Sequence, residues 1–213
     1  MTEGAARAID ALGVSRETAA RLDLYAAHLR KWNRAINLIG PSTLDTLWTR
    51  HILDSGQLWP LAPAGARSWL DLGAGAGLPA LIIAILAMER RPDLAVTAIE
   101  SDARKCAFLR DAARAVEAPL TVVTARIEAA AAADEHDVIS ARALAPLPHL
   151  LALADRFRAP GAVFLFPKGR TARSELTEAR KSWHMEVETL PSVTDPSAAI
   201  LRITNLRAAR SDG

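Results

Sequence analysis

Residues 70–79 read LDLGAGAGLP, an apolar run that ends in an acidic residue and then meets three glycines at alternate positions. Glycine adopts positive φ angles with little strain, and it lets a ligand approach the backbone more closely than a Cβ would permit. A mainly apolar stretch, residues 78–88, follows the glycines. The pattern predicts a strand, a tight turn and a buried helix, with a site for a nucleotide-like ligand at the turn.

The glycine spacing and the acid before it indicate which ligand the turn binds. Dinucleotide sites usually read G-x-G-x-x-G and hold a pyrophosphate, whereas Gly73, Gly75 and Gly77 give the pattern G-x-G-x-G. Asp71 stands two residues before the first glycine, and a fixed carboxylate repels a pyrophosphate but attracts a ligand that carries an ammonium and a sulfonium. The turn therefore favours S-adenosylmethionine over NAD, whose use by an oxidoreductase is the alternative function.

A second acid follows at the distance expected of a ribose-binding carboxylate. Glu100 ends the next apolar run, 23 residues after Gly77. In nucleotide-binding βαβ units, a carboxylate about 20 residues beyond the glycine turn accepts hydrogen bonds from ribose hydroxyls. We therefore expect Asp71 and Glu100 to form one cofactor pocket.

Composition limits the class of protein. The chain has 213 residues, half of them apolar, which is enough for one substantial core and a small helical addition. Its first residues lack the uninterrupted apolar region of a secretory signal, and residues 78–88 are too few to span a bilayer. We expect a cytoplasmic monomer without membrane contact.

Cysteine, histidine and charge narrow the possible sites. Cys106 is the single cysteine and the five histidines are scattered, so the sequence predicts no intrachain disulfide and no metal site. The isoelectric point is near 9.0, but the net charge is only +2. This basicity permits an RNA partner without demonstrating one.

The hydrophobic pattern divides the chain into an N-terminal helical annex, residues 1–66, and a main domain, residues 67–213. In the annex, apolar residues recur at helical spacing from Leu22 to Ile36 after the expected N-cap Ser15, and a second helical segment precedes Trp59. The main domain alternates strands and helices. We predict strands at 68–72, 94–100, 119–124, 137–141, 161–166, 184–190 and 198–204, and helices at 78–90, 102–116, 146–158 and 171–181. A run of alanines, 129–133, is predicted to be a helical spacer.

This arrangement predicts an α/β fold of the Rossmann-like, class I S-adenosylmethionine-dependent methyltransferase type. Five parallel strands with helical crossovers precede an antiparallel hairpin, which makes a seven-stranded sheet. The ligand is expected across the carboxyl ends of the strands, at the point where the strand order reverses.

Several motifs together resemble one family, the bacterial small-subunit rRNA guanine-N7 methyltransferases, also called glucose-inhibited division protein B. The resemblance spans nearly the whole chain. It rests on KWNRAINL at 31–38, RHILDS at 50–55, the glycine turn, RIE at 126–128, SARA at 140–143 and PKG at 167–169. It implies S-adenosylmethionine as cofactor, 16S rRNA or the small ribosomal subunit as partner, and N7 of one guanine in the decoding-region loop as the methyl acceptor. The cofactor contacts that it implies are Gly73, Leu78, Ile127, Glu128 and Arg142, with residues 127–128 beside the adenine.

The residues are compatible with this chemistry. Guanine N7 carries no proton, so methyl transfer needs alignment and suitable electrostatics and no general base. The Asn/Asp-Pro-Pro-aromatic turn of exocyclic-amine methyltransferases is missing after the fourth predicted strand. Cys106 lies inside a predicted helix, where we expect a core residue and not the nucleophile of a cytosine-C5 enzyme. A non-catalytic RNA-binding or ribosome-assembly module with the same fold is a further alternative.

Two basic residues are candidates for positioning the reacting groups. Arg142 follows the fourth predicted strand, and its planar fork suits a guanine or the methionyl carboxylate. The structural alternative is an ion pair, for example with Glu128. Lys168 follows the fifth predicted strand and suits a phosphate or the guanine carbonyl, but it could equally be a solvated turn lysine.

The annex supplies four candidate RNA ligands, each with a structural alternative. Arg50 stands four residues before Asp54 and could simply pair with it on a helix. His51 shares a face with apolar residues, so it could be a packing residue. Asn33 and Asn37 could bind RNA or cap local backbone.

Overall fold

Seven strands form one mixed sheet within residues 2–132 and 134–209, which are the residues that the computed structural model describes. The strands are β1 (Ser68–Leu72), β2 (Ala95–Glu100), β3 (Thr121–Thr124), β4 (His136–Ala141), β5 (Arg158–Lys168), β6 (Trp183–Pro191) and β7 (Ala199–Ala208). Their spatial order is β3-β2-β1-β4-β5-β7-β6. All pairings among β1 to β5 are parallel, while β7 runs antiparallel to β5 and to β6.

This order places the glycine turn at the middle of the sheet. β1 pairs with β2 on one side and with β4 on the other, so the strand order reverses beside β1. A crevice opens at such a point because the crossovers leave in opposite directions. The predicted seven strands and the antiparallel final hairpin are therefore confirmed.

The helices are α1 (Glu3–Leu12), α2 (Arg16–Trp32), α3 (Asp54–Gly56), α4 (Ala80–Arg90), α5 (Ala103–Ala115), α6 (Leu147–Ala154) and α7 (Ala172–Ala179). Ser15 caps α2 as predicted, since its side chain accepts a hydrogen bond from the Thr18 N–H. No helix in the described ranges combines the length and apolar character that a bilayer crossing demands. Helix α1 lies outside the segments predicted to be helical.

The annex differs from its prediction after α2. The helical periodicity suggested a helix up to Ile36, but α2 ends at Trp32. The reason is Asn33, whose Oδ1 accepts hydrogen bonds from the N–H groups of Leu38 and Ile39, both at 2.9 Å. These bonds turn the chain into a loop, because they give the backbone an alternative to the helix.

The second annex segment is not one regular helix. A 3-10 helix (Pro41–Thr43), a π-helix (Trp48–Leu53) and the short α3 replace it. Trp48 and Ile52 are nevertheless buried as the periodicity predicts. The burial pattern was therefore correct, although the type of helix was not.

The alanine spacer is also not helical over its described part. A 3-10 helix, Ile127–Ala129, ends as the run begins, and residues 130–132 are irregular. The Arg156 guanidinium donates hydrogen bonds to the carbonyls of Ile127, Glu128 and Ala130, which a continuing helix would need for itself. Ala133 lies outside the described residues.

Two apolar clusters cover the two faces of the sheet. Leu70 and Leu72 point into the cluster under α6 and α7, whereas Trp69 points into the cluster under α4 and α5. This follows from the alternation of side chains along β1. Annex residues such as Tyr25 belong to the same cluster as α4, so the annex packs directly on the sheet domain. The division at residue 66 stays a prediction.

Candidate active site

The glycine turn joins β1 to α4. Gly73, Gly75 and Gly77 have φ angles of 68°, 53° and 81°, a region that residues with a Cβ enter only with strain. The N–H groups of Gly73 and Ala74 both donate to the carbonyl of Ile99, at 2.9 and 3.1 Å. The turn is thus bound to the end of β2, where the second predicted acid lies.

The glycines have different surroundings. A Cβ on Gly77 would lie 2.8 Å from Leu81 Cβ and 2.9 Å from Leu109 Cδ2, so this glycine permits close packing of helices α4 and α5 against the turn. A Cβ on Gly75 would meet only the Gly73 carbonyl oxygen, at 3.9 Å. Gly75 therefore faces free space, in which a ligand could lie.

A cavity of about 390 Å³ opens beside Gly75, and we call it the cofactor-side cavity. Its walls come from the glycine turn, the end of β2, the segment after β3 and the segment after β4. It is lined by Gly73, Gly75, Ile99, Glu100, Ser101, Lys105, Ala125, Arg126, Ile127, Glu128, Arg142, Ala143, Leu144, Ala145, His149 and Leu153. The structure therefore brings together Gly73, Gly75, Glu100, Ile127, Glu128 and Arg142 of the predicted cofactor residues. Gly77 and Leu78 do not line this cavity.

Glu100 is nearly buried, with 7% of its surface exposed. One carboxylate oxygen accepts from the Gly75 N–H at 2.9 Å and the other from the Asp102 N–H at 2.8 Å. An ionised carboxylate has about four acceptor positions, so two remain for a ligand in the cavity. Glu100 therefore both braces the glycine turn and offers acceptors to hydroxyl groups.

Asp71 does not line the cofactor-side cavity, although Glu100 does. The expected pocket lined by both carboxylates is therefore not observed. The side chain lies on the same face of β1 as Trp69 and accepts hydrogen bonds from the Ser140 hydroxyl at 2.8 Å and the Ala80 N–H at 3.2 Å. Burial raises its pKa from 3.8 to about 7, against the effect of these bonds. Its assignment to the cofactor stays a prediction.

The predicted adenine segment forms one wall of the cofactor-side cavity. Ile127 and Glu128 line it, and Arg156 holds their carbonyl oxygens at 3.0 and 2.9 Å. An apolar side chain supported in this way offers a flat contact for a purine. The alternative ion pair between Glu128 and Arg142 is not present, since Arg142 pairs with Asp54 instead.

A second cavity, of about 670 Å³, lies on the other side of the segment after β4, and we call it the substrate-side cavity. Residues 142–145 line both cavities. The remaining lining residues are Thr46, Thr49, Arg50, Asp54, Pro146, Pro167, Lys168, Gly169, Glu175, Ser192, Thr194, Asp195, Ala198 and Ala199. The two cavities are therefore adjacent chambers with one shared wall.

Arg142 lies in that shared wall, and the sequence analysis predicted it as a residue that positions the reacting groups. Its Nε lies 3.3 Å from Asp54 Oδ2, and its Nη2 donates to His51 Nδ1 at 2.8 Å and to the Arg50 carbonyl at 3.2 Å. Burial lowers its pKa from the usual arginine value, and the charge of Asp54 opposes that effect. The annex thus orients a side chain that the sheet supplies.

Lys168 lines the substrate-side cavity and is not a solvated turn lysine. Its side chain is 10% exposed, and its Nζ donates to the Ala145 carbonyl and to Glu175, both at 2.8 Å. Glu175 also accepts from the Leu147 N–H at 2.8 Å. Lys168 therefore holds the shared wall from the substrate side.

The four annex candidates have separate positions. Arg50 is exposed and lines the substrate-side cavity, and Asp54, its alternative partner, pairs with Arg142. His51 is buried and lines neither cavity, and Asn33 is engaged in the loop after α2. Asn37 is exposed and also lines neither cavity. Only Arg50 reaches a cavity directly.

Two contacts of the annex were not evident from the sequence. The Tyr25 hydroxyl donates to the Ala76 carbonyl at 2.8 Å, so α2 touches the glycine turn itself. Asp54 accepts from Thr194 at 2.6 Å and from Gln57 at 2.8 Å, which ties the loop between β6 and β7 to the annex. The signal for the first contact was a lone tyrosine on an otherwise apolar helix face. No sequence pattern indicated the contact between Asp54 and Thr194.

Cys106 is fully buried in α5, as predicted for a core residue, and its thiol lies 3.3 Å from the Glu100 carbonyl. Among residues 2–132 and 134–209, no group of three or more His, Cys, Asp or Glu side chains is placed to hold a metal ion.

Comparison with known proteins identifies the family. A family model described as rRNA small subunit methyltransferase G matches residues 18–201. A protein of Methylobacterium sp. (strain 4-46) named ribosomal RNA small subunit methyltransferase G is 53% identical over 201 residues, 94% of this chain and 94% of that protein. A protein of the same name from Rhodospirillum centenum (strain ATCC 51521 / SW) is 56% identical over 196 residues, 92% of this chain and 88% of that protein.

Solved structures confirm the predicted fold. The N-methyltransferase NodS from Bradyrhizobium japonicum WM9, in complex with S-adenosyl-L-homocysteine, matches with a TM-score of 0.55 at 16% identity, over 84% of this chain and 98% of that one. The O-methyltransferase from Bacillus cereus, in complex with SAH, matches with a TM-score of 0.56 at 13% identity, over 85% and 90%. At these identities the likeness shows the class I methyltransferase fold alone.

The family match covers most of the chain. It confirms the predicted enzyme class, a S-adenosylmethionine-dependent rRNA methyltransferase, and it removes the oxidoreductase alternative. The chain belongs to the rRNA small subunit methyltransferase G family.

Proposed function

We propose that this chain methylates N7 of a guanine in the decoding-region loop of 16S rRNA, in the cytoplasm, with S-adenosylmethionine as the methyl donor. The observation that carries the proposal is the pair of adjacent cavities that share residues 142–145. Transfer between two bound groups needs such adjacency, because the reacting atoms must approach to about 3 Å in line.

The cofactor-side cavity fits S-adenosylmethionine by its donor and acceptor chemistry. Glu100 retains acceptor positions for ribose hydroxyls, Ile127 offers an apolar surface to adenine, and Gly75 leaves space that a Cβ would reduce. The bound cofactor supplies an electrophilic methyl group. The role of Arg142 beside it is to bind a carboxylate or to align the acceptor base.

The substrate-side cavity suits a base that has left its stack. Enzymes that modify bases within RNA usually extrude the target nucleotide into such a pocket. Lys168 and Arg142 are donors at its inner wall, which suits the O6 acceptor of guanine and leaves the N7 lone pair free for the methyl group. No general base is needed for N7, and the inner wall supplies cations and backbone groups that suit alignment.

Arg50 is an exposed cation in the lining of the substrate-side cavity, and such a side chain suits a phosphate group. Hydrogen bonds from Ser197 lower the pKa of the Asp195 carboxyl, and the charges of Arg50 and Arg170 lower it further. Arg50 and Asp195 both line this cavity, and Arg170 follows Gly169, another of its lining residues. Arginines at this position would hold the nucleotides next to the extruded guanine.

The test uses small subunits and 16S rRNA from cells that lack this protein. Purified protein and methyl-labelled cofactor are added to each, and the labelled nucleosides are separated and mapped along the rRNA. We expect N7-methylguanosine at one position in the decoding region. Label in another nucleoside would defeat the proposed specificity. Cofactor binding without any turnover on either substrate would instead favour the non-catalytic assembly module.

A further inference from the structure

The side chain of Arg142 comes from the end of β4, but its acceptors all come from the annex. They are His51 Nδ1, the Arg50 carbonyl and the Asp54 carboxylate, at 2.8, 3.2 and 3.3 Å. The side chain of Arg142 is 20% exposed, so its orientation depends on these groups more than on solvent. The short segment 50–54 therefore decides how the guanidinium faces the two cavities.

The hydrogen bonds through His51 have only one consistent direction. A guanidinium can only donate, so the nitrogen that faces Arg142, Nδ1, must accept and carry no proton. The proton of the neutral ring then lies on Nε2, which is 2.7 Å from Thr43 Oγ1. The Thr43 hydroxyl donates its own proton to the Gly40 carbonyl at 2.7 Å, which leaves Oγ1 as an acceptor for His51. The hydrogen bonds at Nδ1 and at Nε2 of His51 thus require the same tautomer.

We propose that His51 is a positioning residue for methyl transfer, which presents an unprotonated Nδ1 to Arg142 while Thr43 and Gly40 hold the ring in the required tautomer. The proposal rests on the proposed function in one respect, namely that Arg142 serves the reaction. It replaces the sequence-based hypothesis that His51 contacts RNA, because His51 lines neither cavity.

The electrostatics around His51 act in the same direction. Burial lowers its pKa to about 4, and the positive charges of Arg142 and Arg50 contribute. The ring therefore stays neutral at physiological pH. A second proton would place an N–H group against the guanidinium and remove the acceptor.

Three substitutions of His51 separate positioning from packing. In His51→Asn, the side-chain oxygen falls near the place of Nδ1 and keeps an acceptor for Arg142. In His51→Gln, the amide reaches the place of Nε2, so the contact to Thr43 is kept and that to Arg142 is lost. His51→Leu keeps apolar volume and removes both contacts. The activity is measured as kcat/KM for the cofactor, with small subunits as the methyl acceptor. We expect it to fall at least about 10-fold in His51→Gln and His51→Leu, and to stay within about 3-fold of wild type in His51→Asn.

The thermal unfolding midpoints of the three variants show whether a substitution affects folding. Equal activities in variants with similar midpoints would overturn the positioning role and leave the proposed function intact. An inactive wild type would overturn the proposed function and the positioning role with it. Thr43→Val should lower activity less than His51→Gln does. Thr43→Ser keeps the hydroxyl group and should have the activity of the wild type.

The tautomer can be read without turnover. In the wild-type protein labelled with 15N-histidine, the His51 resonances should show a protonated Nε2 and an unprotonated Nδ1 at pH 7. A protonated Nδ1 in that spectrum would overturn the proposal.

Discussion

The cofactor-side and substrate-side cavities share a wall, but the chain builds them in different ways. The first is formed by turns that directly follow parallel strands, so its residues lie in short contiguous motifs. The second joins the annex, the end of β5 and the loop between β6 and β7. Asp54 and Thr194, which close it, are 140 residues apart in the chain.

This difference explains why the two cavities were not equally visible in the sequence. A strand end followed by a turn is a local pattern, and parallel strands bring such ends to the same edge of a sheet. The substrate-side cavity depends on which distant segments pack together. Its chemistry could therefore be suggested by resemblance to a family, but it could not be derived from spacing.

The largest expected effect of a substitution is at Gly75. Gly75→Val places a branched side chain in the cofactor-side cavity, so we expect a loss of cofactor affinity of more than about 1000-fold, measured by calorimetry. Gly161→Val is the matched control, because Gly161 also has a positive φ, 77°, and has no atom within 4 Å of an added Cβ. Both positions have a positive φ, so backbone strain acts in both variants, and unchanged cofactor affinity in Gly75→Val would place the site elsewhere.

Gly77→Ala should affect folding instead of binding. The added Cβ would lie under 3.0 Å from atoms of Leu81 and Leu109 at a φ of 81°. Strain of about 1–2 kcal/mol and overpacking of a similar size predict a loss of about 3 kcal/mol in the free energy of unfolding. Urea unfolding measures it. A stable variant with lost cofactor affinity would mean that all glycines of the turn have the same role.

Asp71→Asn tests whether the carboxylate behind the turn is structural. Because the folded pKa, about 7, lies above the ordinary value of 3.8, the wild type loses stability as the pH rises through this window. The unfolding free energy of the variant should therefore gain roughly 2–3 kcal/mol relative to wild type between pH 5 and pH 8. A flat difference would mean that the carboxyl titrates normally. A 10-fold loss of cofactor affinity would support the sequence-based assignment of Asp71 to the cofactor.

The smallest effect that we predict concerns the other cavity. Lys168→Ala removes a donor from the substrate side, so kcat should fall about 10-fold while cofactor affinity changes less than about 2-fold. Lys181→Ala is the control, since Lys181 is an exposed lysine paired with Glu178 and lines neither cavity. Equal losses in kcat and cofactor affinity would show that the two cavities do not act separately.

The sequence predicted the fold well because each strand and crossover helix carries its own pattern. The seven strands, the final hairpin and the position of Glu100 at the cofactor-side cavity follow from local patterns, whereas Ile127 was indicated by the family resemblance. Alternation along β1 places Asp71 on the face of Trp69, but the hydrogen bonds to its carboxylate could not be predicted in this way. One of the donors, Ser140, lies on a neighbouring strand 69 residues away.

The annex was predictable in its burial and not in its geometry. Periodicity identified Trp48 and Ile52 as buried, but it cannot distinguish an α-helix from the observed π-helix. The loop at Asn33 and the contacts of His51 arise from side chains that bind backbone or distant groups. Such contacts leave no periodic signal.

The hydrogen bond from Tyr25 to the Ala76 carbonyl has a consequence for engineering new specificities. Phe108 of α5 packs against Trp32 of α2 beside this bond, so the annex and the cofactor turn share one interior. A chimaera that exchanges only the first third of the chain would leave a buried carbonyl unpaired and apolar partners mismatched. Transplanting the annex between relatives therefore requires grafting the facing residues of the turn and of α5 with it.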